Sequence, residues 1–68
     1  PVESLIGVAE WRLEAGMAAR GFVRCAGFSR GREAFGTWYE SASRRCVQST
    51  ARDGVVVAVS EANEFSCR

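Results

Sequence analysis

The chain has 68 residues, 47% hydrophobic and 25% charged, an ordinary globular composition that excludes disorder. Its length allows one domain with a thin core, because a chain of this size buries only about 60% of its unfolded surface. Nine arginines against eight carboxylates leave a net charge of +1, too balanced for a dedicated polyanion binder.

Residues 2 to 20 read as one helix. Val2, Leu5, Ile6, Ala9, Leu13 and Met17 share a face at helical spacing. Ser4 suits the N-cap. Gly21 stands where a left-handed residue closes a helix, and Phe22 follows where an apolar residue packs back on the last turn. Trp11 lies opposite the apolar stripe, among the small residues Gly7, Ala15 and Ala18. It reads either as a Trp lying along its own helix or as a partner surface.

Beyond Gly21 the period changes to that of strands. Residues 22 to 28, 34 to 40, 46 to 51 and 55 to 60 read as four strands, with Gly36 a candidate bulge. The first turn is expected either as a two-residue loop at Arg30-Gly31 or as a three-residue loop reaching Arg32. At Asp53-Gly54 a three-residue loop pairs Ala51 with Val55. It gathers Val47, Ser49 and Ala51 on one face with Val55, Val57 and Val59, and is the expected register. The fold class is therefore α+β: one N-terminal helix packed on a four-stranded antiparallel meander.

Much chemistry is absent from the sequence. Without histidine there is no imidazole base, no His-based triad and no Cys-His dyad. The carboxylate pairs Glu33 with Glu40 and Glu10 with Glu14 have no neighbour that would raise one pKa. No P-loop or dinucleotide fingerprint occurs, so no enzyme activity and no cofactor are expected. Three cysteines without a CxxC pair do not make a zinc site. Cys25, Cys46 and Cys67 suit a disulfide instead, with three pairings open and one cysteine left over. A disulfide implies an oxidising compartment, so the protein is expected to be periplasmic or secreted. No apolar run approaches the roughly 18 residues of a membrane span, and no signal peptide is legible, as suits a processed chain. Cys25 reads first as a small buried residue of the first strand, with an intermolecular or alternative disulfide and a reactive thiol as the other readings.

With the elements placed, the stretch from "ARGF" through "TWYESASRRCVQSTARDGVVVAVSEANEFSC" resembles a group of small exported bacterial proteins of unassigned function. They share a helix closing on Arg-Gly-aromatic, an aromatic strand, a short turn ending in Cys, an Asp-Gly hairpin and a terminal Cys. Trp38 and Tyr39 match the aromatic pair, and residues 41 to 45 match the turn. Cys46, Asp53-Gly54 and Cys67 match the remaining features, over about residues 19 to 67. Glu40, where the pattern favours Asn, and the extra Cys25 depart from it. The resemblance implies export and a Cys46–Cys67 bridge, and supplies no catalytic residue.

A single helix covers one face of a four-stranded sheet. The expected function is therefore a non-enzymatic exported module binding a protein or cell-envelope component through the other face, with a homodimer as a close variant. Trp38 and Tyr39 are consecutive, so they point to opposite faces. One is expected under the helix and the other on the open face, flanked by Arg24 and by Arg44 or Arg45 in an aromatic-plus-Arg arrangement. The alternatives are a structural module of a larger exported protein and single-strand nucleic-acid binding. The near-zero net charge and the lack of an RNP-like run argue against nucleic acid. The implied bridge closes a loop of 20 intervening residues, worth roughly 3 kcal/mol in the chain-entropy model. Reduction of the oxidised protein, or Cys46→Ser, is expected to lower the Tm sharply in a thermal scan.

Overall fold

The computed structural model describes residues 1 to 63 and Cys67. Two short 3-10 turns, Val2–Leu5 and Glu10–Arg12, lead into helix α1, Leu13–Ala19. Four strands follow: β1 Val23–Arg30, β2 Glu33–Glu40, β3 Arg45–Arg52 and β4 Val55–Ala62. They form one antiparallel sheet in the order β1-β2-β3-β4. The α+β meander is thus as expected, with strands a residue or two longer.

The helix expected over residues 2 to 20 is corrected: only its C-terminal third is α-helical. Gly7 adopts φ +93°, a left-handed conformation that ends helical winding. The chain then runs along the free edge of β4. Gly7 N–H donates to Val56 O at 2.7 Å, Val56 N–H to Val8 O at 2.9 Å, and Glu10 N–H to Gly54 O at 2.8 Å. A bare sheet edge presents unpaired backbone groups, and here residues 7 to 10 satisfy them. Ser4 is not the N-cap of α1. Its hydroxyl donates to Pro1 O at 2.7 Å within the first 3-10 turn. The apolar stripe still works: Val2, Leu5, Leu13 and Met17 are buried, while Ile6 is exposed.

The stop signal behaves as its chemistry dictates. Gly21 has φ +87°. Gly21 N–H bonds Ala18 O and Phe22 N–H bonds Met17 O, both at 3.0 Å. This is the double bond of a Schellman close, with Phe22 buried in the same cluster as Met17.

The core lies between this N-terminal layer and one face of the sheet. Trp38, Val47 and Val56 rise from the sheet to meet Val2, Leu5, Leu13, Met17 and Phe22. Trp38 is 1% exposed, and its Nε1–H donates to Ser49 Oγ at 2.9 Å. Gly36, expected as a bulge, is regular in both of its pairings. A Cβ there would stand 3.0 Å from Trp38 Nε1 and 3.2 Å from Ser49 Oγ, so the glycine leaves room for the indole.

Both end hairpins close on two residues. The first turns at Gly31 and Arg32, with Arg30 opposite Glu33, one position beyond the expected two-residue loop. The last turns at Asp53 and Gly54, with Arg52 opposite Val55, so the expected three-residue loop is corrected. Both turn residues have positive φ, 51° and 81°, as a type I′ turn requires, and its twist matches that of the strands. Such a loop alone would send the valines of β4 to the wrong face. One extra residue, Val57, corrects the parity: Ala51 pairs with Val56, but Thr50 pairs with Ala58. Val56 and Val59 then face the core beside Ala51 and Ser49. Ser49→Ala is expected to destabilise the fold by about 1–3 kcal/mol in urea unfolding, because it strands the buried indole N–H.

Candidate functional site

The register sorts the side chains onto two faces. Trp38, Ser49, Ala51 and Val56 face the N-terminal layer. The other face carries Ala26 and Phe28 from β1, Phe35, Thr37 and Tyr39 from β2, Gln48 and Thr50 from β3, and Ala58 and Ser60 from β4. Its centre holds no charged residue. Phe28 and Phe35 are direct cross-strand partners, stacked with centroids 4.9 Å apart and planes at 26°. Phe28 remains 63% exposed. A shallow cavity of about 110 Å³ opens beside the pair, floored by Ala26, Gly27, Gly36, Thr37 and Gln48. At the turn end of this face, Arg52 Nη2 pairs with Glu33 Oε2 at 2.7 Å, and Arg30 lies directly across from Glu33.

Tyr39 is the aromatic on the open face, half-buried, and Trp38 is the one in the core. The arginines expected to flank the outward aromatic lie elsewhere. Arg24 is opposite Trp38 and lids its ring, with its guanidinium carbon 4.6 Å from the ring centroid. Arg45 also lies on the core side, 5.4 Å over the Phe22 ring, and bonds Glu61. The Arg45 hydrogen bond holds the Glu61 carboxyl below the usual range. Arg44 sits in the exposed turn with φ 57°. Trp11 is 77% exposed and stacks only with its neighbour Arg12, at 4.8 Å. Glu33 and Glu40 stand on opposite faces: Glu33 points to the open face, whereas Glu40 points to the other and accepts from Ser43.

Phe28 and Phe35 were not among the expected contact residues. They lie symmetrically about Gly31-Arg32, so a two-residue loop places them opposite one another. The same loop settles which aromatic faces outward.

The three cysteines meet at the far end of the open face. Cys46 lies next to Tyr39 in register and is 1% exposed. Cys67 lies on it, with the sulfurs 2.6 Å apart. Cys25 occupies the β-bulge between Arg24 and Ala26 and is exposed, which corrects its expected burial. It lies near enough to Cys67 to help raise the pKa of that thiol. No disulfide stands at bonding distance in this structure, so the staple expected from the sequence is present only as the Cys46–Cys67 contact. Among the described residues no cluster suited to a metal ion is present, and no helix is long and apolar enough to cross a membrane. The chain matches no protein-family model, no curated protein and no solved structure.

Burial, then the two neighbouring thiols, push the Cys67 pKa well above the ordinary thiol value of 9.0. A raised pKa means the neutral thiol is favoured by folding. That stability is fully present below the unfolded pKa and is lost as pH rises through the folded one. The reduced protein is therefore expected to lose stability as pH climbs above about 9, and Cys67→Ser to lose less over the same window, as measured by Tm against pH.

Proposed function

We propose that this chain is a non-enzymatic, exported interaction module that binds protein through its open sheet face. The observation that carries the reading is the Phe28–Phe35 stack, with Phe28 exposed, beside the uncharged centre of the open face. A sheet face of that kind exposes aromatic surface that water would otherwise wet, and interface cores are enriched in aromatics and depleted in charge.

The partner that fits best is a second copy. The molecule extends 31 × 21 × 15 Å, so its broad face covers at most about 650 Å², or about 1,300 Å² for two copies, within the usual range of stable pairs. A two-fold axis across the strands brings the Arg30–Arg52 end of one copy to the Tyr39 end of the other. Like charges then stay apart, and the two Phe pairs meet near the axis. Nucleic acid is the weaker reading, since Arg52 is already engaged by Glu33 and the net charge is only +1.

In an oxidising compartment the Cys46–Cys67 contact becomes the disulfide that the resemblance implies. The proximity of the two sulfurs supports this pairing over the others. Sedimentation equilibrium tests the interface. The wild type is expected to dimerise and Phe28→Asp to remain monomeric with its Tm largely unchanged, since Phe28 is exposed. A wild type that stays monomeric up to about 1 mM, weaker than any useful pairing, overturns the homodimer.

A further inference from the structure

Cys46 and Cys67 are poorly placed to acquire a disulfide from outside. A disulfide forms by attack of a thiolate on a sulfur of an incoming disulfide. Cys46 is 1% exposed and is covered by Cys67. Cys67 is itself half-buried. Cys25 differs on both counts. It is fully exposed, and the β-bulge that holds it interrupts the pairing of β1 with β2. Bulges re-aim a side chain out of the regular alternation. The result is a row of three thiols running from solvent inward, Cys25 to Cys67 to Cys46, with Cys67 against Cys46 and Cys25 displayed at the bulge of the neighbouring strand pair, close enough to help raise the Cys67 pKa.

We propose that Cys25 is the entry thiol of an exchange relay that installs and removes the Cys46–Cys67 disulfide, with a small-molecule disulfide as the oxidant. The inference rests on the bridge proposed above, and it assigns the cysteine that the bridge leaves over. In the first step the Cys25 thiolate attacks one sulfur of the oxidant. A mixed disulfide forms on Cys25 and one thiolate leaves. Cys67 then attacks the Cys25 sulfur, its proton passing to the second thiolate as that leaves, giving Cys25–Cys67. Finally the Cys46 thiolate attacks the Cys67 sulfur, forming Cys46–Cys67 and releasing Cys25 as a thiolate, which takes up a proton. The protons of Cys46 and Cys67 end on the two departing thiolates. The protein pair has lost two electrons, the oxidant has gained them, and Cys25 is unchanged. Run backward with a small-molecule thiol, the same steps reduce the bridge.

The test follows the reduced protein through reaction with oxidised glutathione, with quenching by alkylation and peptide mapping by mass spectrometry. A glutathione adduct is expected first on Cys25 and is then lost as Cys46–Cys67 appears. Cys25→Ser, a change at an exposed site, is expected to slow bridge formation at least about tenfold, because the oxidant must then reach a half-buried or a buried thiol. Cys46→Ser is expected to halt the relay one step early and accumulate Cys25–Cys67. A Cys25→Ser variant that forms the bridge at the wild-type rate overturns the relay and leaves the bridge standing. A wild type that is glutathionylated at Cys25 but never forms Cys46–Cys67 overturns both.

Discussion

The fold depends on finding a dry place for one indole. Trp38 is the largest side chain on the covered face of the sheet, and its N–H must be bonded once water is gone. Ser49 on the next strand accepts that bond, and Gly36 two residues back leaves space for the ring. Arg24 closes the ring on the β1 side. The N-terminal layer closes it from above, and this explains why Leu13 and Met17 are buried although α1 has only seven residues. Each of these five positions is less well explained without Trp38 than with it.

The two edges of the sheet are treated unequally. The β4 edge is paired by residues 7 to 10, and Ala9 bridges Val55. Among the described residues β1 has no such cover, and every one of its eight residues is exposed. It is protected instead by the devices usual for bare edges, a bulge at Cys25 and the arginines Arg24 and Arg30. The bulge that disrupts the edge also displays a thiol, so the feature that discourages pairing is the one that opens the cysteine row to solvent.

The sheet was legible because its signals are local. Alternation, Asp-Gly and the Arg-Gly turn lie within the hairpins they make, and the Gly21-Phe22 stop depends only on the preceding turn. The long helix was misread because its apolar spacing is satisfied equally well by two turns and a bridging segment. The deciding partner, the edge of β4, lies more than 40 residues away in sequence. The register of the last hairpin was misread because face-matching was solved by a bulge at Val57 rather than by loop length. At the candidate site, the split of Trp38 from Tyr39 followed from alternation alone. The positions of Arg24 and Arg45 did not, since they follow from strand register. Phe28 and Phe35 were hidden by the uncertainty of a single turn.

The bridging of residues 7 to 10 onto β4 also sets a timetable for the chain during synthesis. The N-terminal layer emerges well before the backbone that receives it, Gly54 to Val56. Val2, Leu5, Leu13 and Met17, half of the core cluster, therefore have no sheet to settle on until the fourth strand is out. The β hairpins can pair as they emerge, but their covered face stays wet. Until then the apolar side chains of the layer wait in water for a seat that lies more than 40 residues further along the chain.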